Sequence, residues 1–170
     1  MSKHDARHTP TGPGHSTPAT VALQRSGIAF TVHPYDHDAR SGGYGDEAVA
    51  ALGVDPDRLF KTLIATVDER LVVAVVPVAA RLDLKALAAA AGGKRADLAD
   101  PATAQRSTGY VLGGISPLGQ RRTLPTVVDA SATAHQSVYV SAGRRGLQVE
   151  LAPEDLARLT DATLAVISRR

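Results

Sequence analysis

Phe60-Lys61-Thr62-Leu63-Ile64-Ala65-Thr66-Val67, then Asp68-Glu69-Arg70, then Leu71-Val72-Val73-Ala74-Val75-Val76-Pro77-Val78, reads as two apolar strands joined by a short polar turn. Runs this apolar are not half-exposed, so one or both strands belong in the centre of a sheet. Lys61 stands at the start of the first strand, where a charged side chain inside an apolar run is costly unless it is used.

Upstream of this hairpin, Thr17-Pro18 has the form of an N-cap followed by proline at the first helical position, opening a helix through Val21, Leu23 and Gln24 that stops at Gly27. Ile28 to Val32 continues as a short strand, and Asp46 to Leu52 suits a short helix ended by Gly53. Downstream, Asp83 to Ala91, closed by Gly92-Gly93, reads as an alanine-rich helix, and Asp100-Pro101 starts another that runs to about Thr108. Leu124 to Val128, Ser137 to Val140 and Leu147 to Leu151 read as strands, and Pro153-Glu154-Asp155-Leu156 begins a last helix. Helices and strands mix without a regular βαβ cadence or internal repeat, so the expected fold is α+β: one domain over residues 16–170 with a curved, mostly antiparallel mixed sheet flanked by helices. Residues 1–15 carry His4, His8 and His15 among prolines and glycines with almost no aliphatic side chain, and are expected to be a disordered tail.

Bulk composition narrows the function. The 170 residues suffice for one domain with a substantial core. With no Trp, two Phe and four Tyr, the chain lacks the rows of aromatics on which RNA bases stack in an RRM-like sheet. Cysteine is absent, which excludes disulfides, thiolate metal sites and a cysteine nucleophile; any thiol must come from the substrate. Net charge is only +2, so contact with nucleic acid is allowed but not demanded. No apolar run approaches the about 18 residues of a membrane span, and the first residues lack the apolar segment of a signal peptide, so a cytoplasmic location is expected.

Two turns carry the chemistry. Gly113-Gly114-Ile115-Ser116-Pro117-Leu118-Gly119 is a glycine-walled loop whose proline fixes one φ, an arrangement able to aim adjacent N–H groups at an anion or oxyanion. It is neither a Walker A loop nor G-x-G-x-x-G, and no G-x-S-x-G elbow surrounds Ser116. Alone it could equally be a tight turn between strands. Ser141-Ala142-Gly143-Arg144-Arg145-Gly146 is a second glycine-bearing turn with paired arginines, and Arg121-Arg122 follow the first loop; if the two turns converge, positive charge surrounds one mouth. Lys61 is the odd one of four lysines in a chain with fifteen arginines: Lys3 lies in the tail, Lys85 on a helix face and Lys94 in a polar turn. Its bland alternatives are snorkelling to water or pairing with Asp68; a sharper one is a Schiff-base nucleophile, which needs a pKa depressed by burial. The polar stretch His33-Pro34-Tyr35-Asp36-His37-Asp38 reads as a loop, since Pro34 breaks the i,i+4 geometry that would converge metal ligands, and no metal is expected there.

Taken together, Phe60-Lys61-Thr62-Leu63, Asp100-Pro101, Ala104-Gln105-Arg106-Ser107-Thr108-Gly109-Tyr110, the Gly113 to Gly119 loop and Ser141 to Leu147 resemble the YbaK-type aminoacyl-tRNA deacylases, over residues 17 to about 168. This family is related to the editing domain inserted in bacterial prolyl-tRNA synthetases, and one branch hydrolyses cysteinyl-tRNA(Pro). The resemblance implies a pseudo-barrel sheet, with the family's key lysine on Lys61 and its Gly-x-x-Pro loop on Gly114, Ile115, Ser116 and Pro117. It implies substrate contacts at Tyr35, Ser141 and Gly143, beside which Gly113 and Gln148 are expected to contact substrate; the arginine pairs Arg121, Arg122, Arg144 and Arg145 are candidate tRNA contacts from their place beside the two turns, although Arg144-Arg145 could equally be a basic hairpin tip. It also implies a mechanism in which the substrate's own thiol attacks its ester, with no cofactor. The partners it implies are the acceptor end of an aminoacylated tRNA and a ternary complex with prolyl-tRNA synthetase. Gln148 stands where some relatives have an acidic residue, and Ala142 where some have a second glycine. Rival readings are a deacylase for another small residue, such as alanyl-tRNA(Pro), and a non-catalytic tRNA- or synthetase-binding module.

Overall fold

The computed structural model describes residues 15–37 and 43–170. The expected tail, apart from His15, and Asp38 lie outside the described residues. Helix α1 (Pro18–Ser26) begins where expected: the Thr17 hydroxyl accepts the Thr20 amide at 3.1 Å while the Thr20 hydroxyl accepts the Thr17 amide at 2.8 Å, and Gly27 ends it in the left-handed region. Strand β1 (Phe30–Pro34) starts and ends two residues later than the sequence suggests, so His33 and Pro34 belong to it. Pro34 is tolerated because β1 is an edge strand of its sheet.

Helix α2 (Tyr44–Leu52) is followed by the hairpin of β2 (Phe60–Val67) and β3 (Arg70–Pro77), paired in full register from Phe60↔Pro77 to Val67↔Arg70. The turn is two residues, not three. Asp68 and Glu69 both have positive φ (49° and 75°), the geometry whose twist matches that of the strands, and Arg70 already pairs. The Asp68 carboxylate accepts the Lys94 and Arg95 amides at 2.9 and 3.0 Å, which settles one alternative for Lys61: Asp68 is engaged at the far end of β2.

Strand β4 (Arg81–Leu82), helix α3 (Leu84–Ala90), strand β5 (Ala96–Leu98), helix α4 (Pro101–Thr108), strand β6 (Thr126–Asp129), a 3-10 turn (Ala130–Ala134), strands β7 (Val138–Arg144) and β8 (Leu147–Leu151), helix α5 (Pro153–Thr160) and strands β9 (Thr163–Ala165) and β10 (Ser168–Arg169) complete the chain. Two larger sheets result, ordered β5-β2-β3-β6-β9 and β1-β8-β7, together with a small β4–β10 pair; among the described residues they do not close into a barrel. The first is mixed, as expected: β5, β2 and β3 pair antiparallel, whereas β6 pairs β3 and β9 in parallel. Strand β3 is central as expected: Val73 and Val75 enter one core with Phe60, Ile64 and Val140, while Val72, Ala74 and Val76 enter another with Val67, Leu87 and Ile167.

Asp129 ties the end of β6 to the C-terminal strands. Its carboxylate accepts the Ile167 amide at 2.8 Å and the Ser131 amide at 3.2 Å. Burial opposes its ionisation, but these bonds and one from Ser168 hold the carboxyl below the ordinary carboxylate range. A carboxylate depressed on folding contributes stability that is complete above its unfolded pKa, near 3.9, and is lost as pH falls through the lower folded value. Asp129→Asn is therefore expected to cost about 1–3 kcal/mol in urea melts at pH 7, and the deficit should shrink below about pH 4.

Candidate active site

Strand β5 pairs only residues 65–67 of β2, so among the described residues the first half of β2 has no partner on that side within its sheet. A cavity of about 390 Å³ opens there, bounded by the first turn of α2, the start of β2, the tip of the glycine loop and the inner face of β7–β8. Of the residues singled out in the sequence, Lys61, Gly113, Ile115, Ser141 and Gln148 line it. The walls between them are apolar, from Leu59, Phe60, Leu63 and Val78.

Lys61 is half-buried, and no carboxylate forms an ion pair with it among the described residues. Burial lowers its pKa below the ordinary lysine value; the charge of Asp46 opposes that shift and Arg81 adds to it. Two polar atoms in the cavity wall, Thr62 Oγ1 and Gln148 Oε1, are buried and accept no hydrogen bond among the described residues. Gln148 is 7% exposed, so a ligand able to donate a hydrogen bond is the natural way to satisfy it.

The glycine loop is held from below. The Tyr110 hydroxyl donates to the Leu118 carbonyl at 2.7 Å, and burial pushes its pKa up to about 12, so it stays a donor. The Gly114 amide donates to the Val111 carbonyl at 3.0 Å, which closes a turn and spends the donor that the Gly-x-x-Pro pattern suggested for substrate. Gly113 and Ile115 are left as the loop residues facing the cavity. Ser116 is fully buried, its hydroxyl accepts the Leu118 amide at 3.2 Å, and it supports the turn rather than lining the cavity, as does the buried Pro117.

The two turns do converge. A Cβ on Gly114 would lie 2.6 Å from the Arg144 Cα, so only glycine lets the loop lie against this segment. The second turn is shorter than the sequence suggests: Ser141 to Arg144 belong to β7, which bulges between Ser141 and Arg144, and Gly143 rests on the Tyr110 ring inside that bulge. Arg145 is engaged rather than free, 2.9 Å from Glu47 of α2 and 4.6 Å from the centre of the Tyr44 ring. Tyr44 in turn lies where a Cβ on Gly113 would be, 2.9 Å away, so helix, loop and hairpin lock together at the mouth.

Five further expected residues sit elsewhere. Tyr35 and Arg144 line a shallower neighbouring hollow with Asp36 and His37, and Gly143 is inside the bulge. Arg121 and Arg122 are exposed, with amides donating to the Thr108 and Ser107 carbonyls, which sets them beside the C-terminus of α4. Sequence reasoning missed Tyr44, Gly45, Asp46 and Thr62 as lining residues. The glycines on either side of Tyr44 were the available signal, since Gly45 packs where a Cβ would be 2.6 Å from Val78.

The model of the aminoacyl-tRNA editing domain matches residues 44–159, from the first turn of α2 to α5. The chain belongs to that family. The editing domain is also 42% identical, over 127 residues, to an Enterococcus faecalis protein named "Putative Cys-tRNA(Pro)/Cys-tRNA(Cys) deacylase EbsC", covering 73% of this chain and 77% of that protein. Its fold is that of a solved structure described as "a putative trans-editing enzyme for prolyl tRNA synthetase" (TM-score 0.81, 23% identity, 95% of this chain and 100% of the other). It also matches one described as "hypothetical protein APE2540" (TM-score 0.80, 27% identity, 90% and 100%). The matched span of the editing domain includes every residue that lines the cavity except Gly43. Within the editing domain, no described helix is long and apolar enough to cross a membrane.

Proposed function

We propose that this protein removes mischarged cysteine from cysteinyl-tRNA(Pro), using the editing domain, taken to span residues 16–170. The observation that carries the reading is the meeting of Lys61, Gly113, Ile115, Ser141 and Gln148 on one small, mostly apolar cavity, large enough to take an aminoacyl ester. The identity to EbsC supports the same substrate class.

The proposed nucleophile is the thiol of the substrate, as the resemblance to the YbaK-type deacylases implies; a chain without cysteine, with Ser116 buried away from the cavity, fits that scheme. Its sulfur attacks the ester carbonyl: an S–C bond forms, the C–O bond to ribose breaks, the thiol proton is lost and the ribose oxygen takes up a proton. The cyclic thioester that results is opened by water. In this scheme the backbone of Gly113 and Ile115 orients the carbonyl, the Lys61 ammonium holds the aminoacyl-adenosine end, and Gln148 Oε1 accepts from the substrate amine. Arg121 and Arg122 meet acceptor-stem phosphates, and Arg144 contributes from the hairpin side. A net charge of +2 supplies little phosphate neutralisation, so docking on prolyl-tRNA synthetase, which already holds the tRNA in the cytoplasm, completes the proposal.

Release of labelled amino acid from preformed cysteinyl-, seryl- and alanyl-tRNA(Pro), with and without synthetase, tests it. Rapid release of cysteine alone is expected, because the seryl and alanyl esters lack the thiol. Equal release from alanyl-tRNA would sink the substrate-thiol mechanism, and no release from any ester would sink the deacylase reading.

A further inference from the structure

Two residues along β8 from Gln148 lies a polar cluster with no part in the scheme above. Glu150 of β8 accepts from His33 of β1 (Nε2 to Oε1, 2.9 Å), from the Ser137 hydroxyl and from Arg58 (Nη2 to Oε2, 3.3 Å). Arg58 also donates to the Ser137 hydroxyl (2.6 Å) and carbonyl (3.1 Å) and lies 5.1 Å from the centre of the Tyr139 ring, against which His33 packs at 5.2 Å.

Its position is what gives this cluster meaning. The Arg58 carbonyl accepts the Tyr139 amide at 2.9 Å, Leu59 bridges Tyr139, and the Leu59 carbonyl accepts the Val78 amide at 2.8 Å, so Arg58-Leu59 is the seam between the two larger sheets. Lys61 follows two residues after Leu59. On the other side, Glu150 and Gln148 are two residues apart on β8 and share a face, and Gln148 pairs with His33 on one side and Ser141 on the other. We propose that Glu150, with Arg58, Ser137 and His33, is a positioning clamp that sets the distance between Lys61 on β2 and the Ser141–Gln148 wall. The clamp serves the deacylase reading given above.

The groups around the carboxylate agree with this role. Burial opposes ionisation of Glu150, yet bonds from Ser137 and His33 and the charges of His33 and Arg58 hold its carboxyl below the ordinary range; Tyr139, whose own pKa is raised by burial and by Glu150, is the remaining titratable neighbour. Glu150→Gln keeps the shape and removes the charge on which Arg58 and His33 converge. Ser137→Ala removes one donor and is the milder variant should the first fold poorly.

Two readouts decide the matter. With only four lysines in the chain, reductive ¹³C-methylation gives a resolvable NMR signal for Lys61, assigned by its loss in Lys61→Arg, and this signal needs no substrate. Glu150→Gln is expected to move that signal and its titration midpoint, and to lower kcat for cysteinyl-tRNA(Pro) by about 10- to 100-fold with KM nearly unchanged; Ser137→Ala should fall between. A folded Glu150→Gln with an unmoved Lys61 signal, or with native kcat, overturns the clamp, as does a loss confined to thermal stability. Wild-type protein inactive on every ester would instead overturn the deacylase reading, and the Lys61 signal would still judge the clamp.

Discussion

Replacing Lys61 by methionine, which keeps length and removes charge, is expected to lower kcat/KM for cysteinyl-tRNA(Pro) by about 10²–10³, or roughly 2.7–4 kcal/mol of transition-state stabilisation. The size follows from the setting: a half-buried ammonium on an apolar wall, with no carboxylate paired to it among the described residues, acts through a poorly screened field. The pH dependence separates roles. If the ammonium is the working form, the rate declines as pH rises through the Lys61 pKa, which burial has moved below the ordinary value near 10.4, and this alkaline limb vanishes in the variant. A Schiff-base role demands the opposite sign, a rate that climbs as the amine loses its proton, and trapping by borohydride. Activity within twofold of wild type in Lys61→Met would remove the residue from the site.

Gly114→Ala is the second large effect. Its Cβ would lie 2.6 Å from the Arg144 Cα, 2.9 Å from the Arg145 nitrogen and 3.0 Å from the Arg144 carbonyl carbon, all backbone atoms that no rotamer change can move aside. The loop and the β7–β8 hairpin must then separate. Overpacking of this kind costs about 1–3 kcal/mol or more, and separation also withdraws Gly113 and Ile115 from the cavity, so deacylation should fall further than the population of folded protein. Urea melts and single-turnover release on the same preparation measure both. Native stability together with a native rate would show that the two turns are not in contact in solution.

Much of this was legible in the chain because the signals were local. The N-cap and proline at Thr17-Pro18, the apolar runs of β2 and β3 and the proline-led starts of α4 and α5 each specify their element from a few neighbouring residues, and each formed within a residue or two of its expected position. What was not legible depended on distant partners. Residues 96–98 are a strand because β2 offers them an edge, and residues 163–165 because β6 does; at three residues each, neither segment is long enough to show a pattern of its own. The parallel pairings escaped for the same reason. At the site, Lys61 and the glycine loop stood out as chemically odd residues. Tyr44 and Thr62 are ordinary residue types whose place on the cavity is set by a helix and a strand meeting in space. Gly114, the most suggestive amide donor in the sequence, turned out to be occupied by its own turn.

The pairing of β1 with β8, Phe30 opposite Leu151, has a bearing on when the protein becomes competent during synthesis. The β2–β3 hairpin closes through contacts between neighbours and can form early, whereas β1 waits for a partner made near the end of the chain, and joining such distant segments is the slow, entropically costly part of folding. Ser141 and Gln148 are carried by that late sheet and Lys61 by the early β2–β3 hairpin. A nascent chain therefore holds one wall of the cavity well before the other, and the complete cavity is assembled only once β8 has left the ribosome.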